Sequence, residues 1–488
     1  MVVYLYTSRV ILNTLGVEDY GIYNVIGGFV SMFAFLNGSL ANGIQRFYNF
    51  ELGSNGEESL TGVYNAAFRI QTILVIVVFV LLETIGLWYL YNKMVLPLDR
   101  MGVAFWLFQF SMISLLVSIM QIPYMAAIMS FEKMDYYALV SIIDVFVNLG
   151  LIIALPFIPA DKLLMYGCIT LFRSIVMFLM YFIFCKKKFD VLKLKRGVDT
   201  NLLKKMLSFS GWNVFGTFGG MAKDQGLNMI LNLFFGPVVN AARGVAMQVS
   251  GAISGLVSNI GISVRPQLTG AYARGDKERA FKLMYSLSKI SFGALYMMSL
   301  PIMIDINYIL HLWLGEAVPE HTSVFVILIF MSAYLSAFNA AFSAIIHSSG
   351  KMKTYQIVGA AFNVAILPIV YFYLKNGCSS EKALLISVIV YAIAQIPNLF
   401  ILRRQEGMSV RGYIKKVAIP LILVVVTTFW VPFVPFKLMD ESFLRLVVIT
   451  LVSAVVVGLS FYVLGTDKSE KDLIKVAFKK MSNKFTHK

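Results

Sequence analysis

Long apolar stretches separated by short polar or Gly/Pro-containing breaks run through most of the chain. Residues 72–91, 103–120, 139–158 and 441–464 are examples. Each falls in the range of roughly 17–25 residues that a helix needs to cross the hydrocarbon core of a bilayer. Counting such stretches predicts about fourteen spans, at 1–15, 20–45, 66–91, 102–130, 136–158, 163–185, 208–234, 238–271, 281–303, 322–347, 354–375, 383–402, 413–434 and 441–464.

The composition agrees with this pattern. Hydrophobic residues make up 58% of the chain and charged residues 14%, whereas soluble domains carry about 25% charged residues. We therefore predict an all-α polytopic membrane protein. The three cysteines, Cys168, Cys185 and Cys378, are too few and too scattered for a disulfide framework or a zinc site. We expect neither a cofactor nor a metal ion.

The basic residues are distributed unevenly between the two sides of the predicted membrane. The loops after even-numbered spans, together with the C-terminal tail, hold 28 lysines and arginines, and the loops after odd-numbered spans hold six. Positive charge marks the cytoplasmic side, so both termini are predicted to be cytoplasmic. This role of basic loops accounts for the net charge of +16 without a nucleic-acid partner.

Two similar segments lie 220 residues apart. ILNTLGVEDYGIYNV at residues 11–25 and ILNLFFGPVVNAARGV at 230–245 align with Gly16 opposite Gly236. Each contains the end of one span, a short external turn (16–20 or 236–240) and the start of the next span. An even number of spans separates the copies, so both halves have the same orientation, as in transporters built from parallel repeats.

The repeat divides the chain into two six-helix bundles facing a central cleft, followed by additional segments. Apolar residues interspersed among the lysines of the tail predict an amphipathic helix on the anionic inner leaflet; a solvated basic tail is the alternative. The predicted segments are an N-terminal bundle at 1–185, a basic cytoplasmic linker at 186–207, a C-terminal bundle at 208–404, two extra transmembrane helices at 405–465 and a cytoplasmic tail at 466–488.

Six segments of the chain form recognisable motifs. They are YTSRVILNTLGVEDYGIYNVIGGFVSMFAFLNG (6–38), EKMDYYA (132–138), MLSFSGWNVFG (206–216), FFGPVVNAARGVAMQV (234–249), RPQLTGAYARGD (265–276) and SSGKMKTYQIV (348–358). Together they resemble the bacterial polysaccharide transporter family, the O-antigen flippase-like or lipopolysaccharide biosynthesis proteins of the MATE-like MOP superfamily. The resemblance implies two six-helix bundles, two extra helices and alternating access. It also implies transport of an undecaprenyl-diphosphate-linked oligosaccharide from the cytoplasmic to the periplasmic leaflet of the bacterial inner membrane.

The N-terminus departs from the family pattern, in which a longer basic segment completes the first span. Residues 1–15 supply about 22 Å of helix at 1.5 Å per residue, less than the roughly 30 Å of the hydrocarbon core. We therefore expect the chain to begin inside the first helix of the bundle.

Ionisable residues within predicted spans are candidate functional residues, because a charge in a membrane is costly unless it is paired or faces water. Basic residues suit a diphosphate, since arginine binds phosphate oxygens with two parallel hydrogen bonds. The candidates for a cationic, substrate-binding cavity are Arg9, Arg173, Lys223 and Arg243. The candidates for ion coupling are Asp224, Glu83 and Asp144.

The positions of these ionisable residues also suggest structural roles. Arg9 and Arg243 flank the paired turns, where their side chains could extend to the membrane interface. Lys223 and Asp224 are adjacent on a helix and therefore need not pair with each other. Arg265 ends a span and is expected to be an inner-leaflet anchor, while Arg173 lies deep in its span and requires a partner or an anion.

Two other functions compete with lipid-linked sugar transport. Cation-coupled multidrug efflux of the MATE type uses the same fold and depends on buried carboxylates. A membrane-embedded glycan polymerase or transferase needs a polar site, but no D-x-D pair, long external loop or phosphate-binding G-x-x-x-x-G-K-[ST] motif occurs. We therefore expect a transporter and not an enzyme. Its expected partners are the lipid-linked oligosaccharide, the phospholipid bilayer and other polysaccharide-assembly membrane proteins.

Overall fold

The computed structural model describes residues 2–34, 40–41, 44–45, 47–48, 51–52, 60–194, 200–467 and 470–471. The regular secondary structure of these residues is helical, which confirms the all-α class. In chain order the helices are α1 (Val2–Ser31), α2 (Leu60–Asn92), α3 (Met101–Ser130), α4 (Met134–Ala154), α5 (Lys162–Lys188), α6 (Thr200–Phe235), α7 (Pro237–Ala273), α8 (Lys277–Ile304), α9 (Ile306–Leu314), α10 (Thr322–Ser349), α11 (Met352–Lys375), α12 (Ser380–Glu406), α13 (Val410–Leu438, interrupted after Thr428) and α14 (Phe443–Gly465).

Ten helices of the described part are long and apolar enough to cross a membrane: α2–α5, α8 and α10–α14. Each overlaps one predicted span, and together they show a multi-pass membrane protein. The four remaining predicted spans fall on α1, α6 and α7, which carry the repeated turns and are not among the ten. The count of fourteen spans therefore stays a prediction.

Both repeated turns depend on a glycine with positive φ. Gly16 interrupts α1 with φ 76° and ψ 172°, a combination that essentially only glycine adopts. Gly236 has φ 74° and separates α6 from α7. The predicted five-residue turns are too long, because each helix resumes at the next residue. Pro237 suits the first position of α7, since its ring already fixes a helical φ.

The two turn segments pack directly against each other. Gly21, one turn past the break in α1, lies against the backbone carbonyl of Pro237 so closely that a β-carbon at Gly21 would overlap the carbonyl oxygen. Glycine is the residue that permits such an approach. The second glycine of the opening motif is therefore explained by contact with the other copy of the repeat.

The chain forms two compact units. Unit 1 comprises Met1–Gly244, Ala317–His321 and Gly359–Ala383, and unit 2 comprises Val245–Glu316, Thr322–Val358 and Leu384–Lys488. Helix α6 belongs to unit 1, where it packs on α1 and α2, so the unit limits do not follow the linker predicted at 186–207. The division into bundles at 1–185 and 208–404 stays a prediction.

An arginine outside the apolar runs joins three elements of unit 1. Arg100, just before α3, donates through Nε to Asp19 of α1 at 2.8 Å and through a terminal nitrogen to Asp161 at 2.5 Å. Asp161 also caps the N-terminus of α5 by accepting from the backbone N–H of Leu164 at 3.0 Å. Asp19, one of the acidic residues of the segment 11–25, therefore has a structural role.

In unit 2, α14 is joined to α8 by buried ion pairs. Arg445 near the start of α14 donates to both carboxylate oxygens of Asp305 at 3.0 and 2.5 Å. Beyond the other end of α14, Glu470 accepts from buried Lys289 of α8 and from Ser286 Oγ. Asp467 and Glu470 also exchange side chain–backbone hydrogen bonds of 2.9 Å each, a reciprocal arrangement that starts a new helical turn.

Parts of two predictions lie outside the described residues. They are the amphipathic tail beyond residue 471 and the linker residues 195–199. Those predictions stay predictions.

We expect the substitution Glu470→Gln to destabilise unit 2. It leaves the ammonium group of Lys289, whose side chain is 4% exposed, without a counter-ion, and breaking a buried ion pair typically costs about 3–5 kcal/mol. Thermal unfolding of the purified protein in detergent measures the effect. Glu278→Gln on α8, the helix of Lys289, is the control, because its pair with Lys282 is exposed and such pairs contribute little to stability. Equal losses for both variants would contradict the interpretation.

The second prediction concerns pH. Although burial opposes its ionisation, the N–H of Leu164 and the guanidinium of Arg100 hold the pKa of Asp161 below its ordinary value. A lowered pKa in the folded state adds stability above the ordinary pKa of an aspartate, and this is lost as the pH falls through the folded value. Asp161→Asn should therefore reduce the loss of thermal stability on acidification. Asp99→Asn, at an exposed neighbouring position, should leave the pH profile unchanged; identical profiles for all three proteins would refute this assignment.

Candidate substrate-binding site

Buried asparagines connect α1, α6 and the start of α7 within unit 1. Asn228 of α6 donates to the backbone carbonyl of Asn24 at 3.0 Å. Asn240 of α7 donates to both the backbone carbonyl and the side-chain oxygen of Asn228 at 2.8 Å each. Asn228 and Asn240 are 4% and 0% exposed. The three helices that carry the repeated turns are thus joined by side-chain amide hydrogen bonds.

Lys223 and Asp224 lie on α6, about one turn before Asn228. The Lys223 ammonium is 3.6 Å from a carboxylate oxygen of Asp224, with side-chain exposures of 16% and 41%. Lys223 and Asp224 therefore do form an ion pair, although their adjacent positions did not require one, and its distance is long. The residues form a partly accessible charge pair next to the asparagine network.

Arg243 lies on α7, three residues after Asn240, and is 6% exposed. Its Nε atom is buried and has no hydrogen-bond partner in the described part of the chain. The carboxylate of Asp224 acts on it electrostatically, but the described residues include no ion pair for it. The side chain does not extend to an exposed interface, and its positive charge is not neutralised by a direct contact.

Arg173 and Asp144 bind each other. Nε and one terminal nitrogen of Arg173 on α5 each lie 2.6 Å from a carboxylate oxygen of Asp144 on α4. Tyr23 of α1 packs edge-on against Tyr166 with ring centroids 4.7 Å apart, and both tyrosines act electrostatically on Arg173. The partner that Arg173 needs is therefore an aspartate that we had placed among the ion-coupling candidates.

Arg9 and Glu83 remain apart from these contacts. Arg9 is exposed on α1, and the described residues provide neither Arg9 nor Glu83 with an ion pair or hydrogen bond. Glu83 is half-buried in a π-helical turn of α2, Leu82–Gly86, between exposed apolar residues such as Val80 and Ile85. Irregular turns of this kind are frequent at functional sites.

Sequence reasoning missed the asparagines. The search was restricted to ionisable residues, whereas Asn24, Asn228 and Asn240 are neutral and contribute through hydrogen bonds. A usable signal was present, because Asn24 and Asn240 lie in the two copies of the repeat and Asn228 lies shortly before the second. Polar residues at intramembrane positions generally point toward protein rather than lipid.

The chain has the fold of known membrane transporters. It matches an inward-facing multidrug resistance MATE transporter of the MOP superfamily with a TM-score of 0.70 and 14% identity, over 83% of this chain and 94% of that one. It matches the lipid II flippase MurJ in an inward closed conformation with a TM-score of 0.71 and 14% identity, over 97% of each chain.

A MOP superfamily transporter from Pyrococcus furiosus, described as having a binding pocket of reversed polarity, matches over 83% of this chain and 95% of that one. Its TM-score is 0.55 and its identity 13%. Neither a family model nor a curated protein matches the chain. The described helices therefore adopt the fold that MATE transporters and the flippase MurJ share.

Proposed function

We propose that this protein moves an undecaprenyl-diphosphate-linked oligosaccharide from the cytoplasmic to the periplasmic leaflet of a bacterial inner membrane. Transport proceeds by alternating access and serves the synthesis of surface polysaccharide, such as the O-antigen of lipopolysaccharide. The partners are the lipid-linked glycan, the surrounding phospholipids and other membrane proteins of polysaccharide assembly.

The observation that carries this proposal is the uncompensated charge of Arg243. Among the basic candidates, Arg173 is neutralised by Asp144 at 2.6 Å and Lys223 has Asp224 at 3.6 Å, but Arg243 has no such partner among the described residues. A buried, unpaired charge in a membrane protein is costly. An anionic ligand that reaches it during the transport cycle gives the charge a function.

The chemistry of the surrounding residues fits a diphosphate attached to a sugar. Arginine donors bind phosphate oxygens in pairs, and Lys223 adds a second positive charge. The nearby side-chain N–H groups are already used, because Asn240 donates to Asn228 and Asn228 donates to the backbone of Asn24, and these bonds position the helices. In this proposal Arg243 and Lys223 bind the diphosphate, Arg9 adds positive charge from α1, and Arg173 holds α4 and α5 together through Asp144.

The solved structures support a lipid-linked substrate through the extent of the match. The similarity to the lipid II flippase covers 97% of this chain, against 83% for the MATE transporter. The additional part of this chain that the flippase match covers is about as long as the segment 405–465, which contains α13 and α14. Fold alone does not select a substrate, so the charge at Arg243 carries the greater weight.

Cation-coupled multidrug efflux is the second candidate. Glu83 favours it, because an intramembrane carboxylate that lacks an ion pair among the described residues could take up a proton or a sodium ion. Asp144 is less suitable because Arg173 already occupies both of its oxygens. Asp224 retains 41% exposure of its side chain and remains available.

The substitution Arg243→Gln should lower transport strongly without lowering stability. Losing a charge-assisted contact costs about 1.5–3 kcal/mol, or roughly 10- to 150-fold in affinity, whereas removing an unpaired buried charge removes a desolvation cost. Leaflet-resolved transport of lipid-linked oligosaccharide in liposomes, with thermal unfolding in parallel, measures both effects. Lys437→Gln, at an exposed position on α13, is the control.

Arg173→Gln should behave differently from Arg243→Gln. It leaves the carboxylate of Asp144 without its partner and should lower the unfolding temperature. The double variant Arg173→Gln/Asp144→Asn should recover part of the lost unfolding temperature. The cationic-site proposal is wrong if Arg9→Gln, Lys223→Gln and Arg243→Gln all transport normally at matched expression. Abolition of ion-dependent drug efflux by Glu83→Gln or Asp224→Asn would replace it with the multidrug function.

A further prediction concerns orientation. The charge distribution places both termini and the linker in the cytoplasm, so a cysteine introduced at Glu18 should react with a membrane-impermeant maleimide added outside intact cells. A cysteine at Lys187 should react only after the membrane is opened. Both positions are exposed in the structure, and the native cysteines are replaced by serine in both variants. The reverse labelling pattern would mean that the termini lie outside the cytoplasm, contrary to this prediction.

A further inference from the structure

Unit 2 contains a cavity that is separate from the residues discussed above. It has a volume of about 200 Å³ and lies between α7, α8 and α10. Along α7 it extends from Ser254 to Arg265, or about 16 Å at 1.5 Å per residue. Arg265, which we expect to be an inner-leaflet anchor, contributes to the wall of this cavity.

The cavity combines one positive charge with several hydroxyl groups. Ser254 and Ser258 on α7, Ser291 on α8 and Ser336 on α10 line it beside Arg265. In the described part of the chain, neither Arg265 nor the hydroxyls of Ser254 and Ser291 have a hydrogen-bond or ion-pair partner. Ser291 is only 6% exposed, so its hydroxyl faces the cavity rather than bulk solvent.

One wall of the cavity is held in place by a polar network. Ser336 lies 3.3 Å from the Tyr391 hydroxyl, and the Asn339 amide donates to the same hydroxyl at 3.3 Å. Tyr355 in turn donates to the side chain of Asn339. Apolar side chains, including Leu287 and Leu295, line the same cavity. A cavity with both hydroxyl groups and apolar side chains suits a sugar ring, which presents hydroxyls at its edge and C–H groups on its faces.

We propose that this cavity is a binding site for one sugar unit that bears an acidic group, a carboxylate or a phosphate, within the transported glycan. The unpaired guanidinium of Arg265 binds the acidic group, and the hydroxyls of Ser254 and Ser291 bind the ring. This inference rests on the proposed function. It adds a requirement for an acidic sugar, which the diphosphate site of unit 1 does not impose.

The test uses Ser291→Cys in the full-length protein, with the native cysteines replaced by serine. Two synthetic undecaprenyl-diphosphate disaccharides serve as probes, one with glucuronic acid and one with glucose as the second sugar. Each is titrated for its ability to protect the introduced thiol from alkylation. The acidic probe should protect at a concentration at least about tenfold lower than the neutral one, because it adds a charge-assisted contact.

Arg265→Gln should remove that preference while leaving the neutral probe unchanged. Arg274→Gln, an exposed arginine that follows α7 and does not line the cavity, should preserve it. Equal protection by both probes would overturn the inference, as would protection by undecaprenyl diphosphate without sugars or by phosphatidylglycerol vesicles. Binding of either disaccharide without protection of Cys at this position also overturns it but leaves the proposed function standing. Failure of the wild-type protein to bind any lipid-linked glycan would instead refute the proposed function.

Discussion

Water is absent from the hydrocarbon core of a bilayer, so each polar group placed there must find a partner within the protein. Most of the long helices avoid this requirement by being apolar. Helices α1, α6 and α7 carry buried polar residues, and some of these find partners on the neighbouring helix: Asn228 donates to the backbone of α1, and Asn240 donates to Asn228. The close approach of Gly21 to Pro237 brings the helices near enough for these bonds. The position of the candidate site follows from this packing, because Lys223, Asp224 and Arg243 are carried by the same helices.

Charged residues obey the same requirement and fall into distinct groups. Arg173 and Arg445 each meet one carboxylate with two hydrogen bonds, so their charges are compensated within the fold. Such pairs fix the register of neighbouring helices more clearly than they add stability. Arg243 and Arg265 have no carboxylate partner among the described residues, and Arg265 lines a cavity. Pairing, rather than mere presence in a span, separates structural arginines from candidate binding residues.

The sequence predicted the features that depend on local chemistry. Ten predicted spans coincide with apolar helices because length and hydropathy determine whether a segment can cross a bilayer. Gly16 and Gly236 were placed at the turns because the apolar pattern breaks there, and both adopt positive φ. Contacts between helices were not predictable in this way. Arg173 and Asp144 lie 29 residues apart on different helices, and no periodicity within one helix indicates which face a neighbour will cover.

The sequence also could not reveal which charges were already committed. Arg100 counted only as a charge in an external loop, yet it ties α1 to the start of α5 through Asp19 and Asp161. Arg265 was expected to be an anchor because it ends a span, and the cavity that it lines exists only once α7, α8 and α10 are packed. Glu83 and Arg9 show the converse, because neither has an ion pair or hydrogen bond among the described residues.

The attachment of α14 to α8 gives the extra C-terminal helices a mechanical role. Lys289 of α8 and Asp305, which directly follows α8, are bound by Glu470 and Arg445, and their separation of 16 positions corresponds to about 24 Å of helix, most of the roughly 30 Å core. Two buried pairs at that separation prevent α14 from sliding or rotating along α8 without breaking one of them. The cavity lined by Arg265 also uses α8, through Leu287, Ser291 and Leu295. Helix α14 is therefore bonded to the same helix that contributes these three side chains to the cavity wall.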